Sequence, residues 1–168
     1  KDSPKALDTY GLGLAIGNPE LRLIDLAAAY GLFLHGGFQV SLRSDPGPLI
    51  KGPRLISPQA AYVTLDILSD PSARLLTFGN PRFFKFPAPV ALKTGTSTNY
   101  RDCWLAGATN RHLVVIWAGN FDGAATYGLS GATACGPIFR SLLDELGWSG
   151  REEGFRRPPG IIEKPVCG

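Results

Sequence analysis

Three apolar runs follow one another between Val90 and Asn120, and they leave few ways to fold the second half of the chain. They are "VALKTGTST" from Val90, "DCWLAGAT" from Asp102 and "HLVVIWAGN" from His112. Each is bounded by polar or turn-forming residues, as strands are. Asn110 and Arg111 leave room only for a tight turn between the last two. Runs joined this closely pair antiparallel, because parallel neighbours need a long crossover. The prediction is an antiparallel meander of three strands. After it, "SGATACGPIFRSLLDEL" (130–146) reads as a helix whose Ile138, Leu142, Leu143 and Leu146 cover one sheet face.

The first half is helical and heavily punctuated. In "LRLIDLAAAYGLFLHGG" (21–37), Ile24, Ala27, Ala28, Tyr30 and Leu34 follow a helical period, and Gly36 and Gly37 supply a left-handed stop. Residues 38–55 read as an irregular connection with a short hairpin around "SLRSDPGPLI". A second helix opens at Ser57, a good N-cap, with Pro58 in the first turn, and Ala61, Val63, Leu65 and Leu68 mostly face one way. A Pro-rich aromatic loop, "NPRFFKFPAPV", leads to the first strand.

Composition removes several function classes. A chain of 168 residues, 44% hydrophobic, can bury one core. Its formal net charge is only +3, and no basic stripe interleaves with aromatics, so no nucleic-acid partner is expected. The longest apolar run, "HLVVIWAG", falls far short of the ~20 residues of a membrane-spanning helix. Cys103, Cys135 and Cys167 have no metal-ligand spacing, and no metal or other cofactor is expected. They allow one disulfide with one Cys left over, or three small buried hydrophobes, and the second reading is favoured.

Familiar catalytic motifs mostly fail. Lys93-Thr94-Gly95 is not a phosphate loop, whose glycines precede the Lys. Gly11, Gly13 and Gly17 are spaced one residue too far for a dinucleotide fingerprint and have no strand before them. His35 and His112 belong to no G-x-S-x-G elbow and read as surface residues at a helix end and a turn. What remains is "ALKTGTSTNYRDCW" (91–104). On an edge strand, Lys93 and Gly95 share one face and Thr94 and Thr96 the other. Gly95 leaves room for a substrate to lie along the strand. A Lys ammonium with Thr hydroxyls suits a carboxylate-ended peptide, and a strand N–H can stabilise an oxyanion. An ordinary edge strand with a solvent-facing Lys is the plainer alternative.

Beyond the triplet, "LKTGTSTNYRDCWLAGAT" resembles the third active-site motif of the class A, bifunctional penicillin-binding proteins, including its Tyr-Arg-Asp-x-Trp hairpin. "LRLIDLAAAYGLFLHGG", "ISPQAAYVTLDIL" and "WAGNFDG…GLSGATACGPIFRSLL" resemble successive helices, the fifth strand and the final helix of the same domain. The "RRPPGIIEKPVCG" exit is most similar to the 1C branch. The resemblance spans about residues 8–168 in order.

The resemblance implies an α+β fold, the C-terminal portion of a penicillin-binding, β-lactamase-like transpeptidase. Residues 1–148 would belong to that domain, and 149–168 would be a linker into a further one. It implies a serine-type D,D-transpeptidase that cross-links peptidoglycan stem peptides and is a target of β-lactam antibiotics. A glycosyltransferase and an anchor in the cytoplasmic membrane would precede it, with the catalytic domain on the periplasmic side. Lys93 and Thr96 would be catalytic, Lys93 by charge and proton traffic, Thr96 through its backbone N–H. Thr94, Gly95, Thr96, Ser97 and Thr98 would bind substrate. Asp102 and Trp104 would shape the hairpin, Asp102 by bonding local backbone.

One departure is large. The family reaction needs S-x-x-K and a separate S-x-N, and no S-x-x-K occurs here. Ser97-Thr98-Asn99 spells S-x-N but lies within the strand it would have to oppose, so it is read as coincidence. The nucleophile is therefore expected upstream of residue 1, and the missing N-terminal part of the domain is the implied partner. The chain alone would be inactive. The strand at 112–119 is expected to pair with a strand from that part. A non-catalytic peptidoglycan- or protein-binding module is the rival reading, and a β-lactamase or carboxypeptidase the rival within enzymes.

Overall fold

The computed structural model describes residues 8–79, 81–151 and 153–165. A short 3-10 segment, Gly11–Ile16, precedes helix α1, Leu23–Leu34. Gly36 and Gly37 follow it at φ +62° and +88°, the left-handed stop read from the sequence. Strands β1 (Phe38–Val40) and β2 (Lys51–Arg54) pair antiparallel as a hairpin whose connection is the 41–50 stretch. Helix α2 (Pro58–Ser69) starts where expected: Ser57 Oγ accepts from the Ala60 N–H at 3.1 Å.

Helix α3, Pro71–Phe78, is an addition. It carries the same start signal as α2, an Asp70 carboxylate accepting from the Ser72 N–H at 2.8 Å, followed by proline. A 3-10 turn, Arg82–Phe84, then leads into the sheet. Strands β3 (Ala91–Thr96), β4 (Asp102–Ala108) and β5 (Leu113–Gly119) form the predicted antiparallel meander in the order β3-β4-β5. Helix α4, Gly131–Glu145, closes the fold.

Two apolar clusters hold these parts together. One lies between the sheet and α4 and includes Leu92, Cys103, Leu105, Ile116, Cys135, Phe139 and Leu143. The other, on the opposite face, joins Leu65, Ala91 and Ala108 to Phe33, Leu34 and Leu113, so α1 and α2 cover only one end of that face. The α4 face differs from the expected one. Leu143 is buried, but Ile138, Leu142 and Leu146 are 46%, 40% and 49% exposed, and Ala132, Cys135, Gly136 and Phe139 are buried instead. The reason is close approach. Phe139 lies over Gly107, where a Cβ would come within 2.3 Å of its ring, so the small residues of α4 sit against the sheet. Ile24 on α1 and Val63 on α2 are likewise exposed rather than inward.

Cys103 and Cys135 are both free and fully buried. Burial, then the neighbouring Cys103, pushes the Cys135 thiol up to about 11. These are inert thiols, as the favoured reading had them; Cys167 lies outside the described residues. Past α4, Gln59 Nε2 donates to Pro159 O at 2.9 Å and Phe155 packs on the α2 cluster, so part of the 149–165 stretch folds back on α2.

His35 caps the C-terminus of α1, where burial and then the Lys51 cation hold its imidazole below its ordinary value. A folded-state pKa that is depressed means the unfolded chain binds the proton more readily. Stability is then intact above the ordinary imidazole pKa and is lost as pH falls below it and through the lower folded-state value. The melting temperature is expected to hold above the unperturbed value of ~6.5 and to fall as pH drops below it. His35→Gln is expected to flatten that fall, and an unchanged slope would count against this account.

Candidate active site

The pairing register shows what β3 offers to solvent. The Ser97 N–H donates to Asp102 O at 2.9 Å, extending the β3–β4 ladder by one residue beyond Thr96 opposite Cys103. Main-chain groups alternate along an antiparallel strand, so those of Ala91, Lys93 and Gly95 turn toward β4. Those of Leu92, Thr94 and Thr96 turn outward, onto the open edge. The same count at β5 starts from the Thr109 N–H on His112 O, also at 2.9 Å. There the groups of Leu113, Val115, Trp117 and Gly119 turn outward and find no backbone partner among the described residues.

The open edge of β3 is chemically equipped. Lys93 Nζ donates to Thr94 O at 2.7 Å, which sets an exposed ammonium at that edge. The outward Thr96 N–H lies two residues along from Thr94. Thr96 Oγ1 accepts from the Gly131 N–H, the first of α4, at 3.0 Å, which leaves its own proton free to donate. Gly131 has to be glycine: a Cβ there would lie 2.4 Å from the carbonyl oxygens of both Gly95 and Trp104. Ser130 caps the helix in a reciprocal box with Thr133, accepting its N–H at 3.2 Å. The positive end of α4 thus abuts the backbone of β3 at Gly95 from the sheet face that carries Thr94 and Thr96, while the Lys93 side chain leaves from the other face and turns to the open edge.

At the upstream end of the strand, Arg74 Nη1 donates to the outward Val90 O at 3.0 Å. At the downstream end, Ser97 is tied to Asp102 three ways. Besides the ladder bond, its hydroxyl donates to Asp102 Oδ2 and accepts from the Asp102 N–H, each at 2.8 Å. Asp102 Oδ1 accepts from Trp117 Nε1 at 2.9 Å. The expected bonding of local backbone by the Asp102 side chain is not what the structure shows: its carboxylate accepts from two side chains, one on each neighbouring strand. Asn99 and Tyr100 in the connecting loop hold φ of +60° and +55°, a conformation that costs about 1–2 kcal/mol per residue. Tyr100 O accepts from the N–H and the hydroxyl of Thr126, at 2.8 and 2.6 Å.

Lys93, Thr94, Gly95 and Thr96 thus line up on β3, Ser97 ends it, and Thr98 sits exposed in a 3-10 turn beyond it. The roles of Gly131 and Trp117 were not read from the sequence. Ser130 and Thr133, spaced as a capping box, could have flagged the first; nothing local flags the second. Two hollows lie elsewhere, of about 890 Å³ beside α3 and about 600 Å³ between α1 and the hairpin, and no residue of 93–98 lines either. Among the described residues no three potential metal ligands come together, and no helix is long and apolar enough to cross a membrane.

No family model matches the chain. Individual relatives do. Penicillin-binding protein 1C of Escherichia coli is 36% identical over 158 residues, 93% of this chain and 20% of that protein. Penicillin-binding protein 1A of Clostridium novyi is 27% identical over 166 residues, 91% of this chain and 19% of that protein. The chain therefore spans about a fifth of the length of these relatives. The crystal structure of penicillin-binding protein 1A from Haemophilus influenzae superposes with a TM-score of 0.73 at 18% identity, covering 92% of this chain and 30% of that one. It shares the fold described above.

Proposed function

From the premise that this chain is a homologue of class A penicillin-binding proteins, we propose that it forms one wall of a D,D-transpeptidase site. The observation that carries the proposal is the open edge of β3. The outward Thr94 C=O and Thr96 N–H can pair with an extended peptide as an added strand, with the Lys93 ammonium on the same edge. A stem peptide ending in a carboxylate, or a β-lactam with its carboxylate, suits that edge.

In this reading a Ser hydroxyl from an upstream segment attacks the peptide carbonyl. Its proton passes, by way of Lys93, to the leaving amine as the C–N bond breaks, and an acyl-enzyme results. The Thr96 N–H faces the oxyanion that forms in the first step. Thr94, Gly95, Ser97 and Thr98 border the bound peptide. Residues 1–148 form the C-terminal part of the catalytic domain and 149–168 lead out of it. The parent works outside the cytoplasmic membrane, anchored to it.

The β5 edge supports an upstream complement. Its outward N–H and C=O groups want a strand, and an apolar flank of α4 wants cover. On that helix Gly136 faces Phe83 and Arg140 Nη1 donates to Lys85 O, so the segment leading into β3 covers one flank. Ile138 and Leu142 lie on the opposite flank and are exposed. A further strand beside β5 with a helix over that flank fills both needs.

The test is labelling with a fluorescent penicillin. The full-length parent is expected to label covalently and this chain alone is not. Labelling of the chain alone would overturn the account of the missing nucleophile. A folded parent that fails to label would instead favour the binding module.

A further inference from the structure

We infer that Asp102 and Trp117 are positioning residues for acylation, acting through Ser97 on the Thr96 N–H; this rests on the transpeptidase reading of the same site. The Thr96 N–H is useful only if it points at the oxyanion. Its direction is set by the ladder bonds on either side of it, at Gly95 and at Ser97. Gly95 is inside the sheet, whereas Ser97 is the last paired residue before a loop with two left-handed residues, Asn99 and Tyr100. A strand end entering such a loop frays unless something holds it.

Asp102 holds it. Its main chain gives Ser97 one carbonyl acceptor and one N–H donor, and its carboxylate takes the Ser97 proton. The carboxylate is in turn fixed by the Trp117 indole at 2.9 Å, from the far strand of the sheet. Trp117 reaches it because position 119, opposite Asp102, is glycine. A Cβ at Gly119 would sit 2.8 Å from Trp117 Cζ2 and 2.7 Å from Arg101 O. The chain of contacts runs from β5 to β4 to the end of β3, and neither Asp102 nor Trp117 has to touch the substrate.

That placement separates Asp102 from a substrate contact. A side chain binding the carboxylate would strengthen the initial complex and the transition state alike. A group that only aims an oxyanion donor acts on the transition state, so its loss appears in the acylation rate constant and not in the prior affinity. Removal of an oxyanion donor costs about 10²- to 10³-fold, and a misaimed donor is expected to cost less, about 10- to 100-fold.

The experiment is stopped-flow acylation of the full-length parent by a chromogenic cephalosporin, resolving the dissociation constant from the acylation rate constant. Asp102→Ala and Trp117→Phe are expected to lower the rate constant, the second less, with the dissociation constant within about twofold, as for a donor felt only in the transition state, and Ser97→Ala is expected to lower the rate constant as well. Ser97→Thr keeps the hydroxyl and should restore the rate. The Ser97→Ala, Asp102→Ala double variant should be no slower than the slower single, since both break one link. Melting curves for each variant separate this from unfolding, and Trp117→Phe, which keeps an aromatic ring but not the N–H, guards against a collapsed Asp102→Ala. Wild-type rate constants in all three folded single variants would overturn the inference while leaving the transpeptidase reading intact. A raised dissociation constant with an unchanged rate constant would overturn it in favour of direct binding by Ser97. No acylation of the wild-type parent would remove the reading itself.

Discussion

Lys93→Ala in the full-length parent is expected to slow acylation by a fluorescent penicillin by about 10²- to 10⁴-fold, the range for loss of a positioned proton-transfer group. The side chain is exposed in this chain and its ammonium rests on Thr94 O, so it contributes no core packing and its removal should leave the melting temperature almost unchanged. Lys93→Arg divides the two roles. Arginine keeps the positive charge but does not release a proton at working pH. Recovery with arginine to within about tenfold would assign Lys93 to charge alone, whereas failure would assign it to proton traffic. Acylation of Lys93→Ala at the wild-type rate would remove Lys93 from the site.

Phe139→Ala is expected to destabilise the domain by about 3–5 kcal/mol, the usual cost of emptying a buried aromatic position. Phe139 is completely buried, lies edge-on to Phe86 with ring centroids 6.1 Å apart, and rests on Gly107 of β4. It is the main contact by which α4 grips the sheet, and α4 in turn supplies the Gly131 N–H to Thr96. The reverse lesion, Gly107→Ala, should also destabilise, since the added methyl meets the ring and Leu92. Overpacking of this kind costs about 1–3 kcal/mol. The two lesions should partly cancel in a Gly107→Ala, Phe139→Ala double variant, where the added methyl enters the space the ring leaves. Urea denaturation checks all three, and a loss below about 1 kcal/mol for Phe139→Ala would mean α4 is held elsewhere.

The sheet was legible because its signals are local. The bounded apolar runs, the Asn110–Arg111 turn and the lack of room for a crossover all lie within the strands and their joins. The end of α1 and the start of α2 were legible for the same reason, through Gly36-Gly37 and Ser57-Pro58. The face of α4 was not. Counting large apolar residues selects Ile138, Leu142 and Leu146, whereas the helix sits on Ala132, Cys135 and Gly136 because small residues let it approach. That choice depends on Gly107, which is remote in sequence. The exposed Ile138 and Leu142 need not be a failure of the pattern, since a complementary segment would bury them.

The candidate site was half legible. Consecutive residues on one strand, Lys93 to Thr96, declare themselves in the sequence, and so does the open-edge logic that follows from alternation. Partners across the fold do not. Gly131 meets Thr96 over a gap of 35 residues and Trp117 meets Asp102 over 15, and both contacts follow from strand register and helix docking rather than any motif. Asp102 shows the difference in one residue: a turn carboxylate is expected to satisfy nearby main chain, and this one looks across the sheet.

Thr126 divides the loop between β5 and α4 into two parts with different freedom to evolve. By holding Tyr100 O with two bonds, it makes residues 126–130 a fixed strut between the β3–β4 turn and the cap of α4. Among the described residues the hydrogen bonds of 121–125 go only to Asn120 and Asp122, and Phe121 at their tip is exposed with its ring centroid 5.3 Å from that of Trp117. Insertions at 122–125 would lengthen the loop at little cost so long as Phe121 keeps its place beside Trp117, while a single deletion in the strut would pull on both ends at once. Length can therefore vary at the tip far more freely than in the strut, which is fixed at both ends.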